Sequence, residues 1–279
     1  MKFTDSQEMC RYIREAFGPT ALLSFSTGKD SIACWLRLRE HFDEIIPYYH
    51  YLVPGLEFVE ESLAYYEQYF GTRIVRLPSP GLYRMISNNV FQPPNRIRAV
   101  ALVGLKNFSF GNAAQWLRDD IGLQDDHPYA LGVIASDSPL RRMGIHRSGG
   151  YVERQKKWYP IYDYKRQDVY DAIEREGIKL PVDYRMMPRS FDGLSVVYLA
   201  GIKKNYPSDY RKILEWFPLA ELEVLRHGMD PKRKVGEEAA NKRAARYAFE
   251  IAGRARSRSR AHGTAEGVPR KHEKAEQAV

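Results

Sequence analysis

The stretch Ser24-Phe25-Ser26-Thr27-Gly28-Lys29-Asp30-Ser31 constrains this chain more than any other, because of what flanks it. Ala21, Leu22 and Leu23 precede it, and Ile32, Ala33, Trp35, Leu36 and Leu38 follow. A short apolar run bounded by small polar residues reads as a buried parallel strand, and the later apolar spacing suits a helix. The loop between them therefore opens a helix, where unpaired backbone N–H groups and the positive end of the dipole attract an anion. Ser26, Thr27 and Ser31 add hydroxyls, Lys29 adds a cation, and Gly28 allows close backbone approach. The ligand implied is the phosphate group of a nucleotide.

The Walker-type phosphate loop does not describe this stretch. That pattern needs a glycine five residues before the Gly-Lys pair and a Ser or Thr directly after the lysine, and those positions hold Leu23 and Asp30. The stretch instead resembles the Ser-Gly-Gly-Lys-Asp-Ser signature of the PP-loop ATP pyrophosphatase, or adenine nucleotide alpha hydrolase-like, superfamily, with Thr27 replacing the first glycine. Three later segments are similar, in order, to elements of the phosphoadenosine phosphosulfate (PAPS) reductase family, near the small subunit of bacterial sulfate adenylyltransferase. They are Val53-Pro54-Gly55-Leu56-Glu57-Phe58, then Gly132 to Arg142, which matches a Gly-Ile-Arg-x-x-(Glu/Asp)-Ser-x-x-Arg element, and Trp158 to Tyr164 with Asp168, Val169 and Tyr170.

The resemblance implies a doubly wound, Rossmann-like α/β fold with a mostly parallel sheet, to which pattern and charge add a helical C-terminal region and a basic tail expected to be disordered. It implies ATP, or a PAPS- or APS-like adenine nucleotide, against Ser24, Ser26, Thr27, Gly28, Lys29 and Ser31. Val53, Gly55 and Glu57 would pass near the adenine or ribose, while Asp137, Ser138, Arg141 and Arg142 would approach the reacting end. Lys29, Asp30 and Arg141 are the catalytic candidates, Arg141 having the planar fork suited to phosphate or sulfate. Asp30 is implied either to hold Mg2+ on the pyrophosphate or to order the loop.

Two departures narrow the chemistry. The first arginine of the third segment is Ile134, so one cationic contact is missing or comes from elsewhere. PAPS reductases also use a cysteine near the C-terminus within a Glu-Cys-Gly-(Leu/Ile)-His stretch, whereas no cysteine follows Cys34. Met143-Gly144-Ile145-His146 faintly echoes that stretch but carries no thiol, and a thioether forms no thiolate. Cys10 and Cys34 both sit in apolar helical contexts and read as core. The favoured reaction is attack on the α-phosphorus with release of pyrophosphate to an undetermined acceptor: sulfate, or a nucleic-acid or protein group. The alternatives are a nucleotide-binding protein without turnover and, less favoured, a reductase using an external thiol.

Charge divides the chain into a PP-loop domain over 1–230 and a tail over 231–279. From Asp230 onward there are 13 Lys/Arg against 7 Asp/Glu, so most of the formal net charge of +8 belongs to the tail. Residues 237–252 suit a helix, and Arg254–Arg260 alternates Arg with Ser or Ala, a run able to contact nucleic-acid phosphates without reading sequence. No signal peptide or long apolar run appears, so a cytoplasmic location with no membrane contact is expected. Oligomeric state is not legible.

The remaining pattern alternates strands with helices, as a parallel sheet requires. Helices are expected over 6–17, 31–42, 57–70, 96–105, 113–121, 166–176 and 208–226, the last a pair broken near Pro218. Strands are expected over 20–25, 45–53, 73–77 and 131–134. The pairs Asp119-Asp120 and Asp125-Asp126 read as polar surface, with magnesium attraction as the weaker alternative, and the seven histidines have no two-ligand helical spacing.

Overall fold

The computed structural model describes residues 3–106, 108–186 and 190–229. The helix expected over 237–252, the Arg254–Arg260 run and the domain boundary near 230 lie outside the described residues. The chain opens with α1 (Ser6–Phe17), β1 (Thr20–Ser24), α2 (Lys29–Arg39), β2 (Glu44–Tyr51), α3 (Glu57–Phe70) and β3 (Val75–Pro78). Three helices follow, α4 (Pro80–Ser87), α5 (Pro94–Val103) and α6 (Phe110–Ile121), before β4 (Tyr129–Leu131). Then come α7 (Pro139–Ser148), a hairpin of β5 (Tyr151–Val152) and β6 (Lys157–Trp158), and α8 (Arg166–Arg175). The described chain closes with α9 (Asp183–Met186), α10 (Val196–Asn205), α11 (Pro207–Trp216) and α12 (Ala220–Met229).

The strands form one sheet in the order β3-β2-β1-β4-β6-β5, parallel except for β5 against β6. The chain steps outward from β1 through β2 to β3, then returns to the other side of β1 with β4. Strand order therefore reverses between β1 and β4, and the crevice beyond their carboxyl ends is where such sheets hold ligands. Side chains alternate across the sheet as strand geometry demands. Ala21, Leu23 and Tyr49 enter the larger core with α1, α2, α3 and α8, while Leu22 and Tyr48 face Ala113, Ala114 and Leu117 of α6 on the opposite side. Helices thus cover both faces, and the doubly wound expectation holds.

Boundaries moved for local reasons. Helix α2 starts at Lys29, earlier than the apolar spacing alone indicates, because Gly28 serves as its N-cap. Strand β4 ends at Leu131 although the apolar run continues to Ile134, since the Ala135 N–H leaves the sheet ladder for the Tyr162 carbonyl at 2.9 Å. The expected break near Pro218 separates α11 from α12. Among the described residues, no helix is long and apolar enough to cross a membrane.

Candidate active site

Strand β1 delivers the loop from a rigid base. The Phe25 N–H reaches the Tyr48 carbonyl at 2.8 Å, and the buried Phe25 ring meets Trp35 and Tyr66 edge-on at 4.9 and 5.2 Å between centroids. Thr27 then adopts a left-handed conformation, φ 62°, at the position where the resembled signature has glycine. A β-branched residue rarely sits there. Its Oγ1 donates to the Ser26 carbonyl at 2.6 Å, which helps hold the turn.

Gly28 follows as the N-cap of α2 and supplies no side-chain acceptor to the helix's first amides. Those amides are the donors that a helix N-terminus offers to an anion. Hydroxyls line the turn: Ser31 Oγ donates to the Gly28 carbonyl at 2.8 Å, and Ser26 Oγ to Ser31 Oγ at 3.3 Å. A Cβ added to Gly28 would lie 3.1 Å from Ser190 Oγ and 3.5 Å from Ser26 Oγ, so the backbone is open only because the side chain is absent. Lys29 Nζ bonds Asp30 Oδ1 at 2.5 Å and lies 6.0 Å from the centroid of the Tyr170 ring of α8.

The third sequence segment meets this loop at one point. A Cβ on Gly132 would stand 2.6 Å from the Asp30 carbonyl oxygen and 2.6 Å from Ser31 Cα, so β4 presses its exit directly on the start of α2. Two residues later Ile134 is fully buried, which removes it as a ligand contact and explains why no arginine is accommodated there. Beyond it, Ser136 Oγ donates to the Tyr164 carbonyl, Ser138 caps α7 by accepting from the Arg141 N–H, and Arg141 Nη1 bonds Asp137 Oδ2 at 2.7 Å. Asp137 and Ser138 are thus engaged in shaping the turn, whereas Arg141 and Arg142 are exposed.

The second segment is tied elsewhere. Val53 is core, the Gly55 carbonyl accepts from Lys212 Nζ at 2.6 Å, and the Glu57 N–H donates to Asp209 Oδ1 at 2.8 Å. The Glu57 carboxylate lies 3.3 Å from Ser208 Oγ. These observed partners are in α11, so this segment buttresses the sheet end against the C-terminal helices.

Three residues from later in the chain also approach the loop. They are Tyr170, which belongs to the fourth segment of the resemblance, Ser190, and Tyr184, whose hydroxyl lies 3.5 Å from the Lys29 amide. No short motif marks Ser190 or Tyr184. The same stretch is organised by Asp183, which is buried and accepts the Phe191 N–H at 2.6 Å. Burial pushes the Asp183 carboxyl up to about 6, against the lowering effect of its backbone donors.

Both thiols are core. Cys10 and Cys34 are fully buried; burial pushes the Cys10 thiol up to about 12 and raises Cys34 well above its ordinary value. Neither is the accessible thiolate that nucleophilic chemistry requires. Among the described residues, no group of three or more His, Cys, Asp or Glu side chains could hold a metal ion. Asp30, in the first turn of α2, has its carboxylate paired with Lys29. The pairs Asp119-Asp120 and Asp125-Asp126 belong to no such cluster; Asp119 and Asp125 instead accept from Gln115.

No protein-family model matches this chain, and no curated protein sequence matches it. Among solved structures, it is similar to the U34-tRNA thiolase NcsA from Methanococcus maripaludis, determined with its 4Fe-4S cluster. That likeness has a TM-score of 0.40 at 14% identity and covers 77% of this chain and 78% of the other, too distant to carry an argument about chemistry.

Proposed function

We propose that this chain is a PP-loop enzyme of the adenine nucleotide alpha hydrolase-like superfamily, related to PAPS reductases, that binds ATP and cleaves it at the α-phosphate. The observation that carries the reading is the loop from Ser24 to Ser31 at the β1/β4 crevice, with the side-chain-free N-terminus of α2 and Lys29 converging on one place. The pyrophosphate portion lies along the Gly28, Lys29 and Ser31 turn, where backbone donors and a fixed cation stabilise the charge that develops on the leaving group. An oxygen of the acceptor attacks the α-phosphorus, the bond to the bridging oxygen breaks, pyrophosphate departs with the electron pair, and the acceptor's proton passes to solvent. Asp30 would hold magnesium beside the phosphates, and that ion would supply charge neutralisation there. With Asp30 so engaged, the Lys29 ammonium, paired with Asp30 here, would be free for the phosphates. A reductase reaction is disfavoured, because both cysteines are buried and the resembled catalytic cysteine has no counterpart.

Lys29→Ala should weaken ATP binding by about 1.5–3 kcal/mol, the typical worth of a hydrogen bond to a charged group. Titration calorimetry with Mg-ATP measures this, and pyrophosphate release by the parent protein tests turnover. Matching affinities in parent and variant would sink the nucleotide reading; binding without pyrophosphate release, across sulfate and polymer acceptors, would leave a nucleotide-binding protein instead.

A further inference from the structure

Helix α7 is the segment that the nucleotide site leaves unexplained. It follows within a few residues of Gly132, which touches the phosphate loop, yet Ile145 is its only buried residue. Ile145 and Ser148 lie on its inward side, where Ile145 is core and Ser148 Oγ bonds back to the Ile145 carbonyl, while Arg141 is held by Asp137 but stays exposed. Helical spacing puts Leu140, Met143 and Arg147 together on the outward face. Leu140 is 81% exposed and Met143 61% exposed. Arg142, His146 and Arg147 are also exposed.

Within α7 itself the charged residues have one sign, and Asp137, just before the helix, is taken up by Arg141. From Pro139 to Val152 the chain has three arginines and a histidine and no Asp or Glu. We propose that the outward face of α7 docks a single-stranded nucleic acid beside the phosphate loop. Solvated guanidinium groups meet phosphates without reading sequence, and the apolar side chains set between them offer a surface to unpaired bases, which a duplex keeps stacked inside. Two exposed apolar residues on a ten-residue helix give little area to insert into a lipid interface, so a membrane is the poorer occupant. The docking stands without the nucleotide reading; only the role of the strand as the acceptor rests on it.

The test is fluorescence anisotropy of the full-length protein with a labelled mixed-sequence oligodeoxynucleotide and its oligoribonucleotide equivalent, across a salt series. Arg147→Glu should weaken binding at least tenfold at low salt and flatten the salt dependence by about 0.7 log unit per log unit, the value of one single-strand phosphate contact. Leu140→Ser/Met143→Ser should weaken binding several-fold while leaving the salt slope unchanged. Both variants should keep the parent's ATP affinity and circular dichroism. Equal oligonucleotide affinity for Arg147→Glu and parent would overturn the proposal and leave any binding to the tail. Tighter binding to the annealed duplex, or a preference for anionic lipid vesicles, would overturn it as well. If Lys29→Ala leaves ATP binding intact while Arg147→Glu loses the oligonucleotide, the nucleotide reading fails and the docking surface stands.

Discussion

The phosphate loop and the β4–α7 segment start from the same place in the sheet and end as opposites. From Ser24 to Ser31 the backbone is bonded to its own hydroxyls, braced by Phe25 against Trp35, and approached by residues from the far end of the chain. From Ala135 to Ser148 the chain leaves the core after Ile134 and runs into solvent as a basic helix. The difference teaches that the two segments suit different kinds of ligand. A recessed loop with fixed backbone donors suits a small anion, whereas an exposed helix with solvated cations suits a large, extended partner.

Two glycines of the β4–α7 segment, one pressed against the phosphate loop and one in the exposed helix, give the sharpest way to break that comparison. Gly132→Ala drives a Cβ to 2.6 Å from backbone atoms of Asp30 and Ser31, which no rotamer change relieves. Overpacking of this kind destabilises by roughly 3 kcal/mol and should displace the start of α2, so ATP affinity falls with stability. Gly144→Ala in α7 meets nothing within 4 Å and, as a helix-interior exchange, should stabilise that helix by about 0.5–1 kcal/mol. Urea denaturation of both variants checks the pair. Similar effects at the two sites would mean that the junction is looser than its geometry.

Asp183 tests the recessed side from beneath. Its carboxyl titrates near 6 in the folded protein against an ordinary value of 3.8, because burial disfavours the charged form. As pH rises between those values the unfolded chain gives up its proton first, so this group withdraws stability and withholds all of it above the folded value. At about 1.4 kcal/mol per unit, the loss near neutral pH is on the order of 3 kcal/mol. Asp183→Asn keeps an oxygen for the Phe191 N–H and should therefore raise stability at neutral pH, with no gain at pH below the ordinary value. Thermal melts across that range read the effect, and a variant less stable than the parent at neutral pH would show that the ionised carboxylate is needed.

How far each region was legible follows from how local its determinants are. The strand, loop and helix around Gly28 are encoded within some twenty neighbouring residues, so apolar spacing and one short motif were enough to place them. The end of β4 was not legible, because Gly132 sits close against the start of α2 and Ala135 turns to Tyr162, and neither partner is near in sequence. Tyr184 reaches the Lys29 amide across 155 positions, and no periodicity records such a meeting. The segment at Val53, Gly55 and Glu57 carries a visible pattern, yet its role against Lys212 and Asp209 of α11 emerges only from packing. The C-terminal half of the site is therefore where sequence reasoning thins, while the exposure of Arg141 and Arg142 is a fact of tertiary structure alone.

The smallest effect concerns Thr27, where the recessed loop departs from the glycine of the resembled signature. A non-glycine residue in the left-handed region costs about 1–2 kcal/mol, and asparagine tolerates that region better than a β-branched residue does. Against this stands the Thr27 Oγ1 bond to the Ser26 carbonyl, with a typical net contribution of about 1 kcal/mol. Asparagine relieves part of the strain and keeps a side-chain donor, so Thr27→Asn should stabilise the fold by about 0.5 kcal/mol, whereas Thr27→Val keeps the strain, loses the bond and should destabilise it by about 1 kcal/mol. Differential scanning calorimetry of the two variants measures the contrast. If both melt below the parent by the same amount, the hydroxyl bond is not what holds the turn, and the burial of Thr27 beneath the loop is the stronger restraint.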